Sequence, residues 1–595
     1  MKRSTGIVWM IAALALADNA CQKAAPPAGE APPKDADAPE TAAPQAKTTA
    51  ALIGDVRMIP LAAPDVSTLE EAQRKALWAQ WQALYDADDT CYAQTGPQAL
   101  RVHRMLSQIL AHPQGVPARN HIARYFSAFA LHKGHRDRAT QRLLRARYIP
   151  GELASAALVA LESGADIPLD VPGQAADAGA DRVAELEALL QWVRPYIFGA
   201  PLRTALNPAP QGDAGAGETS GEMPGEAPDA PDASDTDDAA APECPPAWVV
   251  WDADVLRAET EAVRHMYAAL ENRVREVGGR KSTRPAKAPG VVRAVNVLSM
   301  GGALGPELSD LASAVATGPV LDGGAGERLF AVNVAEALFP VLGDALAAAV
   351  ITDPAQLARH RALGLQMQYA RWVLREALGH GVDGTEHRPT AWFQNRLGAR
   401  APLLAVLRAD LAALYMAFDA DVQRLGLVPA EGGPQAFVEA YLFGALAAGA
   451  LWPHYFETLE GRAALMVLNH LLDQGVLVVP EAAEPAGAST GVVALPDFSR
   501  VRGSIADLLA EVRRIRFAGD GAGAETRCAE LSELRAPVAA RLHTAVAGVA
   551  VPKRVGLVYP LPQWGVDAAG ARQLTALHAQ TDFLARELRA SRPAP

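Results

Sequence analysis

From Thr68 onward apolar residues recur at the three- and four-residue spacing of an α-helix, and this periodicity confines the chain to a mainly helical fold. Leu69, Ala72, Leu77, Trp81 and Leu84 share one face, with charged residues opposite. The spacing returns over residues 99–110, 121–131 and 184–193. Strand-like runs are few and short, at 248–251, 291–298, 476–479 and 555–559. The pattern predicts an α+β fold, mainly α with a smaller mixed β part. With 595 residues, half of them hydrophobic, the chain has enough material for two large lobes.

Two kinds of segment fall outside that periodicity. Residues 1–21 read as a signal peptide: Lys2 and Arg3 form a positive start, residues 7–17 are apolar, and small residues lead to Cys21. An eleven-residue apolar run is too short to span a bilayer, which takes about 20 residues. Cys21 after Ala20 reads as the lipidation site of a lipoprotein, and plain secretion with cleavage after Ala17 or Ala20 is the alternative. Gln22 beyond the cysteine points to an outer-membrane lipoprotein facing the periplasm or the cell surface, otherwise to a periplasmic protein. Residues 22–55 read as an Ala/Pro-rich disordered tether. Residues 207–246 hold ten acidic residues and no basic one, and account for most of the net charge of −12. This stretch reads as an acidic disordered loop.

The resulting division is 56–206 as an N-terminal helical part, 247–480 as a helical lobe and 481–595 as a C-terminal part. The later segment closest to a membrane span, 436–451, is interrupted by Glu439 and two glycines. No basic, aromatic-interleaved patch stands out, which argues against nucleic acid as a partner. The four cysteines, Cys21, Cys91, Cys244 and Cys528, match neither a CxxC pair nor a small disulfide framework. Cys91 with Cys528, or either with Cys244, could be bridged in an oxidising compartment. Residues 301–305 (GGALG) lack the Lys-Ser/Thr of a phosphate loop and read as a turn.

The chemistry-bearing stretch runs from residue 363 to 419. One helix leads into Arg375-Glu376-Ala377-Leu378-Gly379-His380, and about thirty residues on a second helix carries Ala405-Val406-Leu407-Arg408-Ala409-Asp410. Zinc peptidases hold their metal with three protein ligands from such neighbouring helices, and an acid takes a proton from the metal-bound water.

These two segments resemble the H-E-x-x-G-H and E-E-x-R-A-(E/D) motifs of the dipeptidyl-peptidase III family of zinc exopeptidases. Residues 131–152, 191–200, 323–338, 497–519 and 555–560 resemble further stretches of that family in the same order. The resemblance implies a two-lobed fold with an interlobe cleft. It places the two zinc histidines of the family on Arg375 and His380, the catalytic glutamate on Glu376, and the third zinc ligand on Val406. A histidine ahead of a late Arg-containing helix is also part of the family pattern. The matching stretch here, Thr458-Leu459-Glu460-Gly461-Arg462, has none, and His454 lies out of register.

Arg375 has no lone pair and cannot ligate zinc, and Val406 has no donor atom. Beside Glu376 or Asp410, Arg375 would form an ion pair where the metal charge would sit. Glu376 then reads as a relic or a base, and His380 as a relic ligand. A substitute set from His380, His387 and Asp410, with Asp383 and Glu386 nearby, matches no zinc spacing. His132 and His135 flank Gly134 and read as capping, surface or cleft residues. No G-x-S-x-G is present, and Cys528 lacks a marked histidine neighbour.

The expectation is a catalytically degenerate envelope protein that binds peptides or another envelope protein, touches the membrane through a lipid anchor only, and has no cofactor. The alternative is an active zinc exopeptidase releasing N-terminal dipeptides from an atypical metal site. A third option is a structural envelope lipoprotein with its cleft filled.

Overall fold

The computed structural model describes residues 52–112, 116–171, 181–198, 244–278, 292–308, 311–317, 319–324, 327–351, 353–379, 390–480 and 492–589. The residues read as a signal peptide, Cys21 and the expected tether as far as residue 51 lie outside this set. So do residues 380–389, which include His380, Asp383, Glu386 and His387, and residues 481–491. The end of the tether, expected to be disordered, is instead tied down: Leu52–Ile53 is a strand paired with Val56–Pro60.

The helical periodicity forms helices. The first amphipathic stretch is the helix Glu71–Thr95, opened by Glu70, whose amide donates to Gln73 Oε1 at 2.8 Å. The others become Ala99–Ala111, Arg119–His132 and Arg182–Phe198. With Pro150–Glu162 they enclose a core of Val102, Leu106, Ile109, Phe126, Phe129, Leu153 and Leu189. A second, larger core gathers the helices Arg257–Glu276, Pro354–Leu374, Ala401–Met416, Gly433–Leu451, Leu459–Asp473 and Val501–Ala518. A third cluster is small and packs Leu77, Trp81 and Leu84 against Val249, Leu298 and Leu574.

Two strands from opposite ends of the described chain form the wall between the two main cores. Val56–Pro60 runs parallel to Arg554–Val558, and the short Leu52–Ile53 pairs antiparallel beside it. Side chains alternate across a strand. Val56, Met58 and Val558 therefore enter the N-terminal core, whereas Ile59, Val555, Leu557 and the flanking Leu61 and Tyr559 enter the larger one. A four-stranded mixed sheet is ordered Pro246–Asp252, Val292–Gly302, Glu327–Ala331, Val320–Gly324. A hairpin, Leu561–Val566 with Arg572–His578, completes the β part. The molecule is mainly helical with small mixed sheets.

Three further expectations need correction. Residues 476–479 are not a strand. The amides of Val476 and Leu477 both donate to Leu471 O, closing the end of the helix Leu459–Asp473, and only Val478 bridges, to Ala494. The acidic segment lies outside the described residues as far as 243, but its last residues are built into the fold. Cys244 is disulfide-bonded to Cys91, and Pro246 opens a strand. The apolar segment by length and composition is Val332–Val350, not 436–451. It is a helix interrupted by the π turn Phe339–Gly343, and it buries Val332, Val334, Leu338, Leu342, Leu346 and Val350 in the larger core. Glu439 is also internal, in the helix Gly433–Leu451, where Arg359 holds both carboxylate oxygens at 2.9 and 2.8 Å.

The GGALG stretch ends a strand and turns: Gly301 and Gly302 still pair with Ala247 and Pro246, Leu304 N then donates to Gly301 O, and Gly302 and Gly305 have positive φ.

Candidate functional site: a buried arginine–carboxylate cluster

Asp353 caps the helix Pro354–Leu374 by accepting from the Ala355 amide at 2.9 Å, and Pro354 takes the first-turn position where no N–H is needed. At its far end the helix passes into a π turn, Arg375–Gly379. A π turn admits an extra residue into the helical ladder, a feature that recurs at functional sites. Arg371 and Arg375, four residues apart, lie on the same face. Both are buried, at 5% and 7% exposure, and that face meets the helix Ala401–Met416.

Asp410, on that second helix, is 1% exposed. Its Oδ1 accepts from Arg375 Nε at 2.9 Å and lies 3.5 Å from Arg371 Nη2, and its Oδ2 accepts from the Tyr441 hydroxyl at 3.1 Å. Arg375 Nη1 donates to Glu376 Oε1 at 2.9 Å, and its Nη2 is 3.6 Å from Glu460 Oε1. Arg328 adds a longer ion pair to Glu376 Oε2 at 3.8 Å. Arg371 also donates to Ala316 O at 2.5 Å and stands over the Tyr441 ring, 4.3 Å from its centroid. Three guanidinium groups thus face three carboxylates, with Arg375 in contact with all three acids.

This balance sets the electrostatics. Burial favours the neutral form of Arg375, but Asp410, Glu376 and Glu460 outweigh it and push its pKa above the ordinary value. Burial, reinforced by the charge on Asp410, pushes the Tyr441 hydroxyl far up, so it stays a donor.

A second buried charge group braces the same helices. Glu271, in the helix Arg257–Glu276, accepts from Arg408 Nη2 and Arg275 Nε, each at 3.1 Å. Arg408 also donates to Leu378 O at 3.3 Å, tying the π turn to the helix that carries Asp410. Burial holds the Glu271 carboxyl above its ordinary value despite the two arginines.

A peptidase zinc ion needs three lone-pair donors and an open position. Arg375 offers no donor atom of that kind, and neither does Val406, a buried residue of the helix Ala401–Met416. The carboxylates nearest Arg375 are held by guanidinium groups. The described residues therefore do not fit a zinc ion, and among them no group of three His, Cys, Asp or Glu could hold one. His380, His387, Asp383 and Glu386 lie outside the described residues. His454 is exposed in the short turn Pro453–Glu457, and Glu460 stands at the start of the helix Leu459–Asp473.

The sequence reading found Arg375, Glu376 and Asp410 but missed Arg371, Arg328, Glu460, Tyr441 and Glu271. The sequence signal is two arginines four apart at the apolar end of a helix, followed by a second, apolar helix with its own Arg-x-Asp. Buried charges at that density must be paired.

No family model matches this chain, and no curated protein matches it. Among solved structures, it is similar to dipeptidyl-peptidase III from Caldithrix abyssi at 13% identity, over 84% of this chain and 97% of that one, with a TM-score of 0.48. It is also similar to dipeptidyl-peptidase III from Corallococcus sp. strain EGB at 14% identity, over 85% of this chain and 95% of that one, with a TM-score of 0.43.

Proposed function

We propose that this chain is a catalytically degenerate relative of the dipeptidyl-peptidase III enzymes that binds peptides, or another cell-envelope protein, without cleaving them. One observation carries the reading: Arg375, at the motif position of a zinc histidine, is bonded to both Glu376 and Asp410. A base must be free to accept a proton from water, and Glu376 instead accepts from a permanent cation. The lipid anchor at Cys21 would hold such a protein at the envelope.

Hydrolysis of dipeptidyl-arylamides tests the proposal. The wild-type protein should release arylamine no faster than the Glu376→Gln variant, while short peptides bind saturably and are recovered intact. Turnover that Glu376→Gln abolishes would make the protein an active exopeptidase with an atypical zinc site. Failure of all tested peptides to bind would leave another envelope protein as the ligand.

A further inference from the structure

A cavity of ≈ 520 Å³ lies away from the arginine–carboxylate cluster, between the end of the helix Glu71–Thr95 and the turn that follows the helix Arg119–His132. The Cys91–Cys244 disulfide forms part of its wall. Lys133, in a left-handed conformation, ends the second helix, and the Gly134 amide donates back to Phe129 O. Gly134 can have no side chain, because a Cβ there would press on Thr95 Oγ1 at 2.9 Å. This close approach sets the basic turn against the helix Glu71–Thr95.

Among the described residues the lining includes Lys133, Arg136 and Arg138, two histidines and no carboxylate. Lys133 is already neutralised by Asp88 at 2.8 Å. The arginines are different. Arg136 donates to Gln141 O at 3.0 Å and Arg138 to Ala303 O at 2.5 Å, so both are positioned by carbonyls. Neither has a carboxylate partner among the described residues. Behind them, Arg554 takes up the nearby acids, bonding Asp137 at 2.8 Å and Glu307 at 2.7 Å. The buried Nδ1 atoms of His132 and His135 have no hydrogen-bond partner, but His132 already faces two carboxylates, with Asp137 Oδ2 3.4 Å from its Nε2 and Glu307 Oε2 3.6 Å from its Nδ1. His135 is held against the Tyr196 ring with centroids 4.1 Å apart.

We propose that this cavity binds a small multivalent oxyanion. Its Arg136 and Arg138 guanidinium groups would meet the anionic oxygens, and the His135 ring would complete the polar contacts inside. Carboxylate and phosphate oxygens present the same acceptors to such a site. The proposal does not depend on the peptidase reading, because it uses none of the residues of that site.

Calorimetric titration of the intact protein with citrate and, separately, with inorganic pyrophosphate tests it and tells the two sources apart. Saturable one-to-one binding of either probe is expected, with the tighter one naming the class. Arg136→Ala with Arg138→Ala should weaken binding about tenfold or more, the effect of losing charged hydrogen bonds. Both side chains are exposed, and an unchanged unfolding transition will show that the double variant is folded. Arg424→Ala, which removes an exposed arginine outside the cavity lining, should leave binding unchanged. Absence of saturable binding by both probes, or equal weakening by Arg424→Ala and the double variant, would overturn the proposal.

Discussion

Arg375 carries a charge that it cannot shed, so its burial is tolerable only while its carboxylate partners stay in place. Replacing it with methionine keeps much of the packing but leaves Glu376 and Asp410 without their shortest ion pairs. Arg375→Met is expected to cost about 3–5 kcal/mol in urea unfolding, the range for breaking a buried pair from one side. Adding Glu376→Gln should recover part of that loss, because one stranded charge is then gone, whereas Asp410 must keep its charge to pair with the buried Arg371. His103 gives a pH-dependent counterpart. It lies between the rings of Tyr92 and Phe126, and burial, helped by the charge of Lys133, lowers its pKa from 6.5 to about 3. Between those values the unfolded chain binds the proton and the fold does not, so stability falls as pH falls below 6.5. His103→Phe should remove about 2 kcal/mol of that pH-dependent loss between pH ~6.5 and ~4.5. Calorimetric melting at a series of pH values checks this. Arg375 is readable in the sequence because it stands where the motif resemblance expects a metal ligand, and an arginine cannot ligate. Its partnership with Arg371, Glu460 and Tyr441 was not readable, since these residues come from elements whose packing no local pattern encodes.

The helix Leu459–Asp473 shows how local chemistry fixes an element. Thr458 caps it, accepting from the Gly461 amide at 3.0 Å, and Gly461 packs flat on the Tyr455 carbonyl. A Cβ at Gly461 would collide with that oxygen. Thr458→Ala should cost about 1 kcal/mol as a lost cap, and Gly461→Ala about 1–3 kcal/mol as overpacking. Chemical denaturation of the two variants should rank them in that order. The element also shows what periodicity can and cannot say. The four helical stretches read from spacing all form helices, as three of the four strand-like runs form strands. Residues 476–479 failed because an apolar run is equally suited to a strand and to a chain leaving a helix. The amides of Val476 and Leu477 were already committed to Leu471.

Across the whole molecule, the two cores are joined through the parallel pair Val56–Pro60 and Arg554–Val558, and the Cys91–Cys244 bridge links residues 153 apart in sequence. Closing so long a loop restricts the unfolded chain, by about 5 kcal/mol in the chain-entropy model. Thermal unfolding with and without a reductant should therefore differ, and Cys91→Ser should melt like the reduced protein. An equal melting temperature in all three would show that the bridge adds no stability. Sequence alone left three pairings open, because cysteine spacing says nothing about which helix end meets which strand. The mainly α, smaller β composition was legible because helical spacing dominates; the wall between the cores was not, since its strands lie about 500 residues apart.

In the proposed reading the Arg375 guanidinium, not a metal ion, supplies the positive charge beside Glu376 and Asp410. Mass-spectrometric metal analysis of the full-length protein, equilibrated with zinc and freed of excess, tests this most directly. Zinc far below one ion per chain is expected, unchanged by His380→Ala. One tightly held zinc per chain, lost in His380→Ala, would contradict that reading.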